Sequence, residues 1–428
     1  MSSSNTLLRL SLGSPATHSL RKLNASNDLL FKKLPVELIG QIFFLCSEVH
    51  REVWQSYAQI YNPYETKIDS VEYTVCSWDC APLLLLRICS TWRNVALSTP
   101  FLWRSIAFNG APDTILEAWL QLAAPQNMEI KMLDWRSPSH SSSFPFEHTS
   151  SVQTLYLELL GHHILSSIAA AGTWENLRVL TLLRLPVHDR HAHTLPDEQP
   201  DILQILKNSP RLTHCSLTYV LRGDSGSTLL VHHGLTHLHV APSRHDFASN
   251  HLGLFDYLTL PNLAMLGLVL LGSSIGEEEI DSVHSLVIRS NVNLKNLVLH
   301  LDEALYSYTA ETLLPVCSSI THLDILAGQA LDGEILALVA RGGAPHLHAL
   351  VIREGLPETV YEHHQLLLHL IRTLRSESSL QRFVLLWAVD ILETAEMVEE
   401  ILRPMAIDGL EIHIGTVGYV SVLTDGGD

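Results

Sequence analysis

A short alternation of apolar and variable positions recurs along most of the chain. At residues 235–240 it reads Leu-Thr-His-Leu-His-Val, with apolar residues at the first, fourth and sixth positions. Because side chains of a β-strand point alternately to its two faces, this pattern predicts a strand with one buried face. Further copies begin at Val152, Leu177, Leu212, Leu263, Leu294, Ile320, Leu347 and Leu380. Successive copies start 23 to 35 residues apart, a spacing typical of a solenoid whose repeats share one core.

Stretches with the apolar spacing of helices separate several of these copies. Helices are predicted at residues 201–208, 280–288, 334–339, 361–375 and 394–402, and further strands at residues 103–108, 128–133 and 410–414. The repeats resemble those of leucine-rich repeat proteins, although the asparagine that often follows the pattern in that family is mostly missing. The resemblance implies an irregular α/β solenoid over residues 103–428, with parallel strands on its concave face and helices on its convex face.

The N-terminal quarter has a different pattern, made of two helical stripes. Leu34, Leu38 and Ile42 lie four residues apart and therefore share one face of a helix. Pro35 suits the first turn of that helix, where its missing N–H costs nothing. A second stripe within residues 83–97 comprises Leu85, Ile88, Trp92, Val95 and Ala96.

These two helices, in this order and followed directly by repeats, resemble the F-box. The F-box is the helical module that docks on the Skp-family adaptor of a cullin ubiquitin ligase, and the combination is similar to F-box-like proteins of basidiomycete fungi. The resemblance covers residues 31–102, but residues 47–82 form a long, aromatic-rich insertion where an F-box has a short loop. The residues implied to contact the adaptor are Leu34, Pro35, Leu38, Ile42, Leu86, Ile88, Cys89 and Trp92.

Composition narrows the classes of function that the chain can have. Its 45 acidic and 27 basic residues give a net charge of −18, which argues against a general nucleic-acid binder. Six scattered cysteines do not form a disulfide framework, so a reducing compartment, cytoplasmic or nuclear, is expected. No apolar run approaches the roughly 18 residues that would span a bilayer. Residues 1–30, rich in Ser and Asn, are expected to form a disordered tail.

Two motifs suggest chemistry only superficially. Residues 272–276 fit G-x-S-x-G, the nucleophile elbow of hydrolases, but every repeat makes a strand-to-helix turn at this point, so the context adds nothing. Cys76 and Cys80 lack a second pair at zinc-site spacing. We therefore expect no enzymatic activity, no cofactor and no metal.

The positions between the buried apolar residues of each copy point to the opposite face of the predicted sheet. Strands in a sheet lie about 5 Å apart, so His214, His237 and His239 are expected to sit together. This grouping is consistent with plain similarity between repeats, with a patch that binds a partner, or with a metal site. The candidate substrate-binding residues of this concave face are Tyr156, His214, His237, His239, Asn296, His300, His322, Asp324, Arg353 and Arg382.

The F-box resemblance implies a substrate-receptor subunit of a Skp–cullin–F-box ubiquitin ligase. Such a subunit binds the adaptor, and through it the cullin, while its repeats hold a target protein near the catalytic machinery. The alternative is a leucine-rich repeat interaction scaffold that is not coupled to ubiquitin transfer, because its degenerate N-terminal module no longer binds the adaptor. Neither alternative involves a nucleic acid or a membrane.

Overall fold

The structure is a computed structural model, and the described residues form a series of segments. They are residues 33–48, 82–88, 90–109, 119–123, 127–135, 146–159, 168–170, 172–184, 202–217, 229–241, 253–270, 277–301, 303–327, 344–354, 368–369, 371–376, 379–387, 400, 402–403, 409–416 and 419–423. The predicted tail, Cys89, the predicted helix at 334–339 and nearly all of the insertion lie outside these residues.

The chain divides into two compact units, Met1–Leu212 and Thr213–Asp428. The sequence-based boundary at residue 103, between a helical module and the repeats, stays a prediction beside this division. Each unit contains a parallel β-sheet, and the fold is a mixed α/β arrangement built largely on parallel strands.

The first unit begins with helices. Helix α1 spans Val36–Glu48, α2 spans Leu85–Ile88, α3 spans Ser90–Leu97, and a 3-10 turn follows at Pro100–Trp103. Helix α1 packs against α3 and the 3-10 turn, with the Phe43 and Trp92 rings 4.7 Å apart. Trp103 is buried and donates its indole N–H to the carbonyl of Ala96 over 2.8 Å. The helices therefore close around an aromatic core of their own.

Four parallel strands complete the described part of the first unit. They are β1 (Ser105–Asn109), β2 (Met128–Trp135), β3 (Val152–Leu159) and β4 (Val179–Arg184), paired in chain order. Helix α4 (Ile202–Asn208) follows. The buried Trp103 and Trp119 meet edge to face at 4.9 Å, and the Trp119 indole donates to the Trp103 carbonyl over 2.7 Å. These contacts join the helical module to residues 119–123, which are helical.

The described residues of the second unit include eight strands that pair in parallel with one another. They are β5 (His214–Leu217), β7 (His237–Val240), β9 (Met265–Leu270), β10 (Asn296–Leu301), β11 (His322–Ala327), β12 (Ala349–Glu354), β13 (Arg382–Trp387) and β14 (Glu411–Thr416). Helices α5 (Glu277–Ser290) and α6 (Glu303–Leu313) lie between strands and pack against each other. All nine copies of the repeat pattern form parallel strands, which confirms that prediction.

The entries of β7 and of β9–β13 in the second unit repeat one hydrogen-bond arrangement. The carbonyl of Thr213 accepts the N–H groups of Thr236 and His237, and the carbonyl of Thr236 accepts those of Ala264 and Met265. The arrangement recurs along the sheet as far as the carbonyl of His348. Because the strand entries are tied to one another, the segments between them can differ in length without shifting the register.

The apolar positions of the repeat pattern form the core. In the pattern that begins at Leu294, Leu294 and Leu297 are fully buried and Leu299 is nearly so. Equivalent positions in the neighbouring strands are also buried and stack in register, so each repeat covers the apolar face of the next. This burial is the main source of stability that the sequence pattern predicts.

Within the described residues, one α-helix and three strands were not predicted. Helix α6 has weaker apolar periodicity than α5, and strands β6 (Leu230–Val231) and β8 (Leu258–Thr259) form a separate sheet of two residues each. Strand β15 (Tyr419–Leu423) pairs antiparallel with β14. Residues 419–423 form a strand because they pair with the otherwise exposed edge of β14. Within the described part of the chain, no helix combines the length and the apolar content needed to cross a membrane.

Candidate functional site on the histidine face

The sheet of the second unit has one face that is covered by polar and charged side chains. We call it the histidine face, and define it by the strand residues that alternate with the buried core positions. Strand register arranges them in three rows. The first row is His214, His237, Met265, Asn296, His322, Ala349, Arg382 and Glu411; the second is Ser216, His239, Gly267, Val298, Asp324, Val351, Val384 and His413; the third is Val269, His300, Leu326, Arg353, Leu386 and Gly415.

His214 and His237 form a stacked pair at one end of the first row. Their ring centroids are 4.0 Å apart and the ring planes differ by 13°. Each ring makes a contact of 2.9 Å between its Nδ1 and the hydroxyl of the preceding threonine, Thr213 or Thr236. Burial and the neighbouring His237 lower the pKa of His214, and burial lowers that of His237. The pair is therefore neutral at physiological pH.

His239 lies beside this pair along its own strand but makes different contacts. It faces Ser216 across the strand pair, at 3.4 Å between Nδ1 and the hydroxyl oxygen. Its ring turns over Gly267 of the next strand and its Nε2 is buried. Burial, and then the charge of His300, lowers the pKa of His239 to about 4. The three histidines are thus neighbours in register, but only His214 and His237 stack.

A polar cluster of His300, Asp324 and Arg353 occupies the middle of the face. His300 is fully buried, and its Nε2 lies 3.5 Å from an Asp324 oxygen. Arg353 donates to both Asp324 oxygens, from Nε at 2.9 and 3.1 Å and from one terminal nitrogen at 2.8 Å. This forked geometry is the strongest form of an arginine–carboxylate pair. The second and third rows therefore bring together, on three adjacent strands, residues that are up to 53 positions apart in the sequence.

The electrostatics of this cluster favour an ionised carboxylate and a neutral imidazole. Burial alone would raise the pKa of Asp324, but hydrogen bonds from His300 and Arg353, together with their charges, hold that pKa below its usual value. Burial is also the main reason that the pKa of His300 is lowered, outweighing the opposite effect of Asp324. The forked ion pair thus joins β11 to β12, and the buried ring of His300 on β10 lies against the same carboxylate.

Gly267 is a position of the face where a missing side chain makes room for a histidine. A Cβ atom added there would lie 2.4 Å from Cδ2 of His239, too close for any real contact. The Nε2 atom of His239 is buried, which restricts rotation of the ring away from an added methyl group. A glycine inside a strand indicates close approach of another group, so this residue was the signal in the sequence that could have located the His239 ring.

Replacing Gly267 with alanine is expected to destabilise the second unit by about 1–3 kcal/mol, the usual cost of overpacking a filled site. The measurement is urea unfolding of the purified chain. The matched variant combines Gly267→Ala with His239→Ala, which makes room for the added methyl group. Its loss should be smaller than the sum of the two single losses. Strictly additive losses would show that the two side chains do not compete for this space.

The remaining predicted face residues are more dispersed. His322 is exposed and Asn296 is half-buried, and both lie in the first row. Arg382 and Glu411 are about half exposed and their charged atoms are 4.0 Å apart, which is the limit of an ion pair. Tyr156 belongs to the first unit, where it is buried beneath Lys131, whose ammonium lies 4.2 Å from the centre of the ring. The structure therefore brings together the predicted residues of β5–β13.

The predicted adaptor-contacting residues fall into two groups. Pro35 and Leu38 are exposed, and Leu34, Ile42, Ile88 and Trp92 are partly exposed. Leu86 is buried, so its side chain supports the module from within. The sequence did not single out Val36, which is 49% exposed next to Leu38 at 44%. The core-facing side of α1 is instead made by Ile39 and Phe43, both buried.

The described residues contain no group of three or more His, Cys, Asp and Glu side chains arranged to hold a metal ion. What the histidine face offers in these residues is a set of hydrogen-bonding groups on a rigid sheet. Asp324 and Arg353 pair with each other. The first row contains three histidines, His214, His237 and His322. In each of them, Nδ1 contacts the hydroxyl of the preceding threonine.

Comparisons with known proteins add little to this description. No protein-family model matches the chain, and no curated protein matches it. Among solved structures, the chain is similar to a protein from Bacteroides fragilis, with 16% identity and a TM-score of 0.37. The match covers 54% of this chain and 63% of that protein, so it spans less than two thirds of that protein's length. A similarity of this size indicates neither a family nor a function.

Proposed function

We propose that the chain is a substrate-receptor subunit of a Skp–cullin–F-box ubiquitin ligase. Its N-terminal helices bind the Skp-family adaptor, and its repeats bind the target protein. The subunit performs no chemistry. It raises the local concentration of the target next to the ligase's catalytic components, which accelerates transfer by proximity.

The observation that carries this proposal is the distribution of exposed apolar side chains. Among the described residues, seven large hydrophobic side chains are exposed, and four of them belong to the helical module. The four are Val36, Leu38, Leu84 and Phe101. The same helices bury a tight aromatic core, so the exposure does not reflect poor packing. Apolar surface that remains exposed on a well-packed module is typical of a protein-binding site.

The histidine face supports the second half of the proposal. It lies on a sheet whose register is held by repeated hydrogen bonds, so its side chains are fixed relative to one another before any partner binds. Preorganisation of this kind reduces the entropy cost of association. A face with arginine, aspartate and histidine side chains also provides directional contacts that can discriminate between targets.

Replacing Leu38 with aspartate is expected to weaken adaptor binding on the order of tenfold or more, because a charge would be buried in an apolar interface. Binding is measured by co-purification of a Skp-family adaptor with the full-length variant. Since Leu38 is exposed in the free chain, the free energy of unfolding should change by less than about 0.5 kcal/mol.

The matched control is Ile288→Asp, because Ile288 is 56% exposed on α5, in the other unit. This control should bind the adaptor as the parent chain does. If the parent chain fails to bind the adaptor, or if Leu38→Asp binds like the control, the ligase assignment is wrong. The repeats would then belong to an interaction protein without a link to ubiquitin transfer.

A further inference from the structure

In the stacked pair His214–His237, the structure indicates which ring nitrogen donates a hydrogen bond and which accepts one, and the sequence does not. Neutral imidazole carries its proton on either Nδ1 or Nε2, and the group bonded to one nitrogen decides the state of the other. In this chain the deciding group is the threonine that precedes each histidine of the first row.

Thr236 shows how the proton is placed. Its hydroxyl lies 3.0 Å from the carbonyl oxygen of Thr213, and that oxygen can only accept. The single hydroxyl hydrogen therefore points at the carbonyl. The same hydroxyl oxygen lies 2.9 Å from Nδ1 of His237, so Nδ1 must be the donor in this second contact. His237 consequently carries its proton on Nδ1 and a lone pair on Nε2.

The same geometry recurs at His322. The hydroxyl of Thr321 donates to the Lys295 carbonyl over 3.2 Å and contacts Nδ1 of His322 at 2.9 Å. His214 has a contact of the same length between its Nδ1 and the hydroxyl of Thr213, and we assign it the same tautomer because the threonine–histidine pair repeats at the same strand position. Because the rings of His214 and His237 are stacked and both turn Nδ1 towards a threonine, their Nε2 atoms lie side by side on the opposite edge. Within the described residues, no hydrogen bond engages either Nε2 atom.

We propose that the paired Nε2 atoms of His214 and His237 accept hydrogen bonds from a basic segment of the target protein, through an arginine or lysine side chain. This proposal rests on the function proposed above for the histidine face. Two adjacent acceptors without a donor suit a group that only donates, and guanidinium and ammonium are the side chains with that property. The flat guanidinium can also lie against the imidazole rings, which favours arginine over lysine.

The net charge of the chain also favours a basic partner. The chain has a net charge of −18, which attracts a basic segment over long range and repels an acidic one. The nearest groups in register around the pair are Met265, Ser216 and His239, none of which is a fixed cation. An acidic segment would instead find only acceptors at the pair, and so would bind there only after protonation.

The experiment measures fluorescence anisotropy of labelled hexa-arginine and hexaglutamate peptides with the full-length chain, at pH 7.5 and about 0.15 M salt, where charges beyond roughly 8 Å are screened. One variant replaces both His214 and His237 with phenylalanine, which keeps the stacked rings and removes the acceptors. The other replaces both with glutamine, which keeps an acceptor at each position. Thermal unfolding identifies any variant that is not folded.

Hexa-arginine should bind the parent chain more tightly than hexaglutamate does. The phenylalanine pair should bind it about tenfold more weakly, as expected for losing a hydrogen bond to a charged group. The glutamine pair should stay within about threefold of the parent. Equal binding by the phenylalanine pair and the parent would overturn the proposal, because attraction to the acidic chain as a whole would then explain the affinity. Tighter binding of hexaglutamate would overturn it as well.

A second measurement does not depend on any double variant. In the parent chain labelled with ¹⁵N-histidine, the Nε2 resonance of His237 should have the chemical shift of an unprotonated ring nitrogen at pH 7.5. Thr236→Val removes the hydroxyl and should shift the proton towards Nε2. A protonated Nε2 in the parent chain would sink the proposal. None of these measurements requires the adaptor, so their failure would leave the ligase assignment untouched, and failed adaptor binding would leave this proposal untouched.

Discussion

Replacing Arg353 with methionine is expected to destabilise the second unit by about 3 kcal/mol, because it leaves a desolvated carboxylate without its charged partner. Asp324 and Arg353 are only 16% and 17% exposed, and three N–H···O contacts join them. Methionine retains much of the arginine's apolar volume. The loss of unfolding free energy should therefore come from the missing charge and not from a cavity. Urea unfolding of the full chain provides the free energy.

The chain provides a matched control for this substitution. Arg382 lies on the adjacent strand β13 and is 51% exposed, with its carboxylate partner Glu411 at 4.0 Å. Arg382→Met should therefore cost less than about 1 kcal/mol, the range of exposed ion pairs. Combining Arg353→Met with Asp324→Asn should recover part of the loss, because no buried charge then remains. Equal losses for the two arginine variants would show that the Asp324 pair behaves as a surface ion pair.

Acid is expected to destabilise the second unit through His239. The pKa of His239 is about 4 in the folded chain, against an ordinary value of 6.5. Between these two values the unfolded chain takes up the proton and the folded chain does not, so stability is complete above pH 6.5 and declines as pH falls towards 4. A difference of this size corresponds to about 3 kcal/mol.

The measurement is urea unfolding at several pH values between 7 and 4.5, for the parent chain and for His239→Gln. Glutamine does not titrate, so the variant should lose distinctly less stability than the parent over this interval. His284→Gln is the control, because His284 lies on α5, away from the histidine face. Parallel pH profiles for the parent and His239→Gln would show that this histidine is not the group responsible.

Local pattern was enough to locate the strands of the repeats. The six-residue pattern at Leu212, Leu235 and Leu263 predicted β5, β7 and β9, and each begins two residues after the start of its pattern. Alternation along a strand also assigned His237 and His239 to the face opposite the core. Strands β6 and β8 could not be predicted in this way, because two residues are too few to carry a period.

The contacts between face residues depended on register and on ring orientation, which have no local signature. His239 turns over Gly267 towards His300, and not into the stack formed by His214 and His237. The distribution of apolar residues on α1 is another example. Leu34, Leu38 and Ile42 share a face by spacing, but packing against α3 and the 3-10 turn buried Ile39 and Phe43 instead.

The sequence by itself determined the parallel strands, the positions of the core and the residues available to the histidine face. It did so because burial of an alternating apolar pattern is decided strand by strand. Only the tertiary structure decided that His300, Asp324 and Arg353 form one network and that the ring of His237 presents an acceptor. Those properties depend on which carbonyl, carboxylate or glycine the neighbouring repeat places within about 3 Å, the distance over which hydrogen bonds act.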